Sequence, residues 1–150
     1  MIEIIAGEKG KGKTKELLAK VNHSVTAASG NIVYLDKSQK HMYELNNKVR
    51  LINVMDYPID NCDEFLGFLC GIVSQDHDLE EMYLDSFLTI AFTETDDEIQ
   101  HAIEKLDIIS EKYNVKFILS VSRDESDYLS VQKQRLSFPY NYFAVKRLLR

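Results

Sequence analysis

The feature that most constrains this chain is a glycine-rich loop between an apolar run and a helical segment near the N-terminus. The chain has six glycines among its 150 residues, and three of them fall within Gly7–Gly12. Ile2–Ala6 is apolar and rich in β-branched residues, which predicts a buried strand. From Lys13 to about Ala28 the apolar residues keep helical spacing, and Ser29-Gly30 predicts the end of a helix. The pattern predicts a strand–loop–helix unit whose loop is shaped around a ligand.

Residues 7–14 of this loop, GEKGKGKT, match the Walker A pattern G-x-x-x-x-G-K-[ST]. Glycines let backbone N–H groups converge on phosphate oxygens, and a helix beginning at Lys13 directs its partially positive N-terminus at the same anion. The Lys13 ammonium is expected to reach the β- and γ-phosphates, and the Thr14 hydroxyl to bind Mg²⁺. The predicted nucleotide-binding residues are Gly7, Glu8, Lys9, Gly10, Lys11, Gly12, Lys13, Thr14 and Lys15.

The rest of the chain alternates predicted strands with predicted helices. We predict four further strands, at 32–35, 49–55, 81–85 and 115–121. Helices are predicted to begin after Asn61 and after Thr95, each at a capping pattern. This alternation predicts an α/β three-layer sandwich with a mostly parallel sheet of five or six strands, forming one nucleotide-binding domain over residues 1–150. Residues 124–136 are predicted to be helical, and 142–145 fit either a sixth strand or a terminal helix.

The helix after Asn61 contains the run FLGFLCGIV (65–73), which is apolar on nearly all sides and is therefore predicted to be buried. Gly67 and Gly71 stand four residues apart in it, which predicts close packing against the sheet. Cys62 and Cys70 are expected to be buried thiols, as in a reducing compartment. The sequence shows no zinc-ligand spacing, no signal peptide and no apolar run of membrane-spanning length, so we expect a soluble, cytoplasmic protein.

Together with the strand end MYLD (82–85), the Walker A loop resembles that of the P-loop NTPase superfamily. The whole chain, through its segments VYLDK, GFLCGI, MYLDSFL and FILSVSRDE, resembles small uncharacterised Firmicutes-type P-loop ATP-binding proteins, sometimes labelled twitching-motility ATPases. Genuine retraction ATPases are much longer and have acidic and histidine boxes that this sequence lacks. The resemblance implies ATP and Mg²⁺ as cofactors.

The resemblance also assigns roles to residues at strand ends. Asp85 ends an apolar strand and would hold Mg²⁺ together with Thr14, usually through water. Many P-loop ATPases have a catalytic glutamate after that aspartate, but this sequence has Ser86, which predicts slow or partner-stimulated hydrolysis. Polar residues at the end of the fifth strand resemble a position that senses the γ-phosphate, although Arg123 fits a surface ion pair equally well. The predicted catalytic residues are Lys13, Asp85 and Arg123.

Two other functions stay open beside an ATPase. A small-molecule or nucleotide kinase would use Asp36 or Asp56 as the base for an acceptor hydroxyl, while Asp36 also fits an ordinary turn. A non-catalytic switch would bind ATP and report its presence to a partner. ATP is favoured over GTP because the nearest match to N-K-x-D, at Glu104–Asp107, has the wrong first residue and lies in a predicted helix.

Charge is unevenly distributed along the sequence. The chain has a formal net charge of −6, yet residues 51–100 contain thirteen acidic residues and no lysine or arginine. Residues 133–150 are basic, without acids, and interleaved with aromatics, which fits single-stranded nucleic acid, a last packed strand, or a patch for an acidic neighbour. The absence of any named nucleic-acid motif favours the last two readings. The predicted ligand is a nucleotide, with a protein partner or a second copy of the chain left open and no membrane expected.

Overall fold

A computed structural model describes residues 1–7 and 12–122, and describes residues 143–147 as backbone. Strands β1 to β6 span Ile2–Ala6, Asn31–Asp36, Arg50–Asn53, Leu79–Leu84, Lys116–Val121 and Phe143–Arg147. Helices α1 to α4 span Lys13–Ala27, Cys62–Gln75, Phe87–Ile90 and Asp96–Tyr113. Single 3₁₀ turns at Met42–Glu44 and Val54–Asp56 complete these described elements. The alternation of strands and helices is that of an α/β fold, as predicted.

The described strands form one sheet in the order β3-β2-β4-β5-β1-β6, and every pair is parallel. Strand β1 therefore lies between β5 and β6, whereas β4 lies between β2 and β5. Residues 143–147 pair with β1, which resolves the alternative left open for 142–145 in favour of a strand. The prediction of a helix at 124–136 lies outside the described residues.

Two apolar layers cover the sheet, one on each face. Helix α1 packs through Leu17 and Val21 on the face that carries Ile5, Tyr34 and Tyr83. Helices α2, α3 and α4 pack on the opposite face, where the remaining inward positions of the strands form the larger core. Successive residues of β1, β2, β4 and β5 therefore face opposite helical layers, which confirms the three-layer sandwich.

The connections after β2 and β4 leave the sheet on opposite faces. The segment after β2 packs on α1, since Leu45 and Val49 belong to the same apolar cluster as that helix. The segment after β4 leads into α3 and α4 on the other face. Because these connections diverge, a crevice opens between the carboxyl ends of β2 and β4, the usual place for a ligand in an open parallel sheet.

Both predicted caps are present. The Asn61 side chain accepts a hydrogen bond from the Glu64 N–H at 2.9 Å and begins α2. Thr95 and Glu98 form a reciprocal capping box at the start of α4. Each cap satisfies backbone donors that the first helical turn leaves unpaired, so local sequence alone predicted where these helices begin.

The predictions for α2 were wrong in two respects. Gly67, Cys70 and Gly71 are exposed, so the helix is not buried on all sides, and only Cys62 is a buried thiol. A Cβ atom added to Gly67 or Gly71 would find no heavy atom within 4 Å, so neither glycine packs closely on the sheet. These small residues lie on the solvent side of the helix because Phe65, Leu66 and Leu69 occupy its buried side.

The third strand is shorter than predicted. It ends at Asn53, and the Asn53 side chain accepts a hydrogen bond from Met55 N–H to open the turn Val54–Asp56. Asp56 therefore lies in an exposed turn rather than at the end of a strand. Among the described helices, none combines the length and apolar character needed to cross a membrane.

A pair of glycine substitutions tests this packing. A Cβ atom at Gly30 would lie 2.1 Å from the backbone oxygen of Asp78, so we expect Gly30→Ala to lower the free energy of unfolding by about 1–3 kcal/mol. Gly67→Ala fills open space on the solvent side of α2 and is expected to raise the free energy of unfolding by about 0.5–1 kcal/mol. Urea denaturation of both variants measures the difference. A Gly30→Ala protein as stable as the wild type would contradict the close approach.

Candidate functional site

The start of α1 is shaped by Gly12. This residue is the N-cap of the helix and has φ of +83°, a left-handed conformation that favours glycine. The Gly12 carbonyl accepts the first helical hydrogen bond, from Glu16 N–H, at 3.0 Å. Gly7 is fixed at the other end of the loop because its N–H donates to the Val121 carbonyl at 3.1 Å. The N-terminus of α1 therefore opens at the carboxyl ends of β1 and β5.

Lys13 is the first residue of α1 and is only 7% exposed. Its aliphatic carbons pass over Gly7, where an added Cβ atom would lie 3.7 Å from Cγ and Cδ of the lysine. Burial lowers the pKa of the Lys13 ammonium, and the negative charge of Asp85 partly offsets that effect. The two residues are thus electrostatically coupled across the site.

Asp85 follows β4 directly and is 2% exposed. Its Oδ1 accepts hydrogen bonds from Ser120 Oγ at 2.6 Å, from Ser86 N–H at 2.9 Å and from Thr14 Oγ1 at 3.2 Å. Its Oδ2 accepts a hydrogen bond from the Tyr34 hydroxyl at 2.7 Å. A buried carboxylate needs such donors because its desolvation is otherwise unfavourable by several kcal/mol.

Sequence reasoning selected Thr14 and Asp85 but missed Tyr34. Tyr34 lies in the middle of β2, directly opposite Tyr83 of β4, and their rings stack with centroids 6.2 Å apart. Burial and the adjacent Asp85 carboxylate raise the pKa of the Tyr34 phenol, which keeps it protonated as a donor. The available signal was a tyrosine within the apolar strand NIVYLD, since buried tyrosine hydroxyls usually have a hydrogen-bond partner.

Asp36 ends β2 and is buried beside the same site, at 3% exposure. Its Oδ1 accepts a hydrogen bond from Lys37 N–H at 2.7 Å, whereas Oδ2 has no hydrogen-bond partner among the described residues. Burial raises the pKa of this carboxyl group, and the negative charge of Asp85 raises it further. The two aspartates at adjacent strand ends therefore differ sharply in their surroundings.

A polar cleft of about 470 Å³ opens above these strand ends. One wall is the start of α1, the opposite wall is the segment after β2, and the floor is formed at the ends of β4 and β5. The residues that line it are Gly12, Lys13, Thr14, Lys37, Lys40, His41, Asp85, Ser86, Leu88, Thr89, Ser120 and Ser122.

The oxygen donors of Thr14 and Asp85 fit a magnesium ion only in combination with other ligands. Their oxygens lie 3.2 Å apart at the edge of the cleft, and hydroxyl and carboxylate oxygens suit this cation. Within the described residues there is no group of three or more histidine, cysteine or acidic side chains placed to hold a metal ion. Magnesium bound here would therefore take most of its ligands from phosphate and water, as Mg²⁺ commonly does.

The structure brings together several of the predicted site residues. Gly7, Gly12, Lys13, Thr14 and Asp85 meet at the cleft or its edge. Lys15 is exposed on α1 and does not line the cleft. Glu8, Lys9, Gly10, Lys11 and Arg123 lie outside the described residues.

Fold and site together define an α/β protein with a polar cleft at the carboxyl ends of a parallel sheet. No protein-family model matches the chain, and no curated protein matches it in sequence.

Replacement of Asp36 by asparagine tests the electrostatics of the site. The pKa of Asp36 is higher in the folded state than its ordinary value of 3.8. The free energy of unfolding therefore falls as the pH rises from about 3.8 through the pKa of the folded state. Asparagine keeps the acceptor for Lys37 N–H and removes the charge. We therefore expect Asp36→Asn to be more stable than the wild type at neutral pH, by a margin that shrinks on acidification. Urea denaturation across the pH range measures this margin.

Asp60→Asn is the matched control, since Asp60 is exposed and does not line the cleft. The stability of Asp60→Asn relative to the wild type at each pH gives the baseline for comparison. A margin for Asp36→Asn that is independent of pH, or that grows on acidification, would show that the carboxylate is not destabilised by its surroundings.

Proposed function

We propose that this protein binds the phosphate groups of ATP with Mg²⁺ in the polar cleft and hydrolyses ATP slowly or when stimulated by a partner. The observation that carries the proposal is the contact between Thr14, at the N-terminus of α1, and Asp85, at the end of a buried strand. The two residues are 71 positions apart in the chain, yet their oxygens lie 3.2 Å apart. This pairing supports the resemblance of GEKGKGKT and MYLD to P-loop NTPases.

The electrostatics of the cleft support an anionic ligand. Helix α1 has 15 residues, and its N-terminus, which carries a partial positive charge, opens into the cleft. Lys13 adds a full positive charge at the same point. Phosphate oxygens would satisfy both, and the Asp85 carboxylate would balance the cation that accompanies the phosphates.

Slow hydrolysis follows from the residues around Asp85. Ser86 stands where many P-loop ATPases have a glutamate, and its N–H is bound to Asp85 and Ser120. Glu94, the next acidic residue, is exposed, and its N–H donates to Glu98. Among the described cleft-lining residues, Asp85 is the only carboxylate, and it is already engaged by four donors. The chain would therefore accelerate phosphoryl transfer through positioning and charge, without a free base for water.

Phosphoryl transfer to an acceptor hydroxyl is the second candidate. It is favoured by Asp36, whose buried Oδ2 lacks a hydrogen-bond partner among the described residues and whose raised pKa suits proton transfer. Asp56, the other candidate base, is exposed and accepts a hydrogen bond from Asn53, away from the cleft. The hypothesis that the protein is a kinase therefore depends on Asp36.

Substitution of Lys13 tests the central proposal. We expect Lys13→Ala to weaken Mg-ATP binding about tenfold or more, because a charge-assisted contact to phosphate contributes about 1.5–3 kcal/mol. Lys105→Ala removes the same charge from an exposed position on α4 and is the matched control. Isothermal titration calorimetry with both variants gives the affinities. Equal ATP affinity in the wild type and Lys13→Ala, with both folded by circular dichroism, would refute the proposed site.

Product analysis separates the candidate activities. Wild-type protein is incubated with Mg-ATP, with and without hydroxyl acceptors, and ADP and free phosphate are measured. We expect slow phosphate release without an acceptor, its loss on chelation of Mg²⁺, and its loss in Asp85→Asn. ADP formed only with an acceptor would indicate a kinase that depends on Asp36, and tight binding with no turnover would indicate a nucleotide-dependent switch.

A further inference from the structure

The wall of the cleft opposite α1 carries a second group of basic side chains. Lys37, Lys40 and His41 follow β2 and line the same cleft as Lys13 and Thr14. Lys13 belongs to the Walker A sequence, whereas Lys37, Lys40 and His41 lie outside that motif and so were given no role. Their position arises from the sheet order, which places the end of β2 beside the end of β4.

The segment that carries these basic side chains is anchored to α1. The Asn22 side chain of α1 donates to the Glu44 carbonyl and accepts from Asn46 N–H, both at 2.8 Å. Within the segment, Lys37 N–H is bound to Asp36, and His41 Nδ1 lies 3.1 Å from Glu44 Oε2. The backbone bearing Lys37 and Lys40 is therefore held at a set position relative to the start of α1.

The two walls differ in how their charge is balanced. Lys13 is coupled to Asp85, so a carboxylate already offsets part of the positive charge on the α1 side. Lys37 and Lys40 are exposed, and neither forms an ion pair within 4 Å with any residue that the structure describes. The Asp36 carboxyl group is buried, and the attraction of Lys37 lowers its pKa by less than burial and the charge of Asp85 raise it. The surplus positive charge of the cleft therefore lies on the wall opposite α1.

We propose that Lys37 and Lys40 bind the terminal phosphate of a nucleoside triphosphate, so that the cleft selects triphosphates over diphosphates. This inference rests on the proposed nucleotide site at α1. Backbone N–H groups hold the inner phosphates at the helix N-terminus, Lys13 reaches the β- and γ-phosphates, and the terminal phosphate extends across the cleft. There it meets two lysines that form no ion pair within 4 Å with a described residue, while a diphosphate ends before reaching them. Selectivity thus resides in a segment outside the glycine-rich loop.

The test compares two nucleotides in two double variants. Dissociation constants for Mg-ADP and for the non-hydrolysable triphosphate Mg-AMP-PNP are measured by calorimetry for the wild type and for Lys37→Ala/Lys40→Ala. We expect the double variant to bind AMP-PNP about tenfold to a hundredfold more weakly and ADP within about twofold of the wild type. Lys48→Ala/Lys105→Ala removes the same charge at exposed positions outside the cleft and should alter neither affinity.

The outcomes distinguish this inference from the proposed function. If the wild type binds neither nucleotide, the nucleotide site itself is refuted, and the inference with it. If the wild type binds both and the Lys37/Lys40 variant keeps the same ratio of affinities, the nucleotide site stands and the inference is wrong. An equal loss of both affinities also overturns it, because the lysines would then act on phosphates common to the two ligands. Restored selectivity in Lys37→Arg/Lys40→Arg would show that the charge, rather than the lysine side chain, is responsible.

Discussion

The buried carboxylate of Asp85 is the constraint on which the rest of the site depends. An ionised carboxylate at 2% exposure is tolerated only when its oxygens accept well-placed hydrogen bonds. Those bonds come from Tyr34 on β2, Ser120 on β5, Thr14 on α1 and the N–H of Ser86. Satisfying one carboxylate therefore ties three adjacent strands and the first helix together, and the ends of these elements form the cleft.

The neighbouring Asp36 shows how the same fold tolerates an unfavourable group where a ligand is expected. Its unpartnered Oδ2 and raised pKa are destabilising features of the ionised state, and they lie beside a cation-rich wall. Strain and unsatisfied polar groups of this kind concentrate at functional sites. Asp85 is thus held by four hydrogen bonds, whereas Asp36 keeps one carboxyl oxygen without a hydrogen-bond partner among the described residues.

Much of the fold could be predicted from sequence where the signal is local. Strand β1, the caps at Asn61 and Thr95, and the start of α1 at Lys13 all depend on residues within a few positions of one another. The predictions failed where contacts outside the local sequence pattern determine the structure. The solvent side of α2 appears apolar only because glycine and cysteine count as apolar, and the end of β3 is set by a side-chain hydrogen bond at Asn53. Tyr34 was missed because a tyrosine in an apolar strand is typical of a core.

Local sequence was enough to define a strand, a glycine-rich loop and a helix with a lysine and a threonine at its start. It was also enough to indicate an aspartate at the end of another buried strand. It did not reveal which strands are neighbours, because parallel pairing joins residues far apart in the chain through contacts that no short window contains. The order β3-β2-β4-β5-β1-β6 places Tyr34 beneath Asp85, and Lys37 and Lys40 opposite Lys13. The predicted ligand chemistry therefore rests on a local motif, whereas the second wall of the cleft exists only once the sheet is assembled.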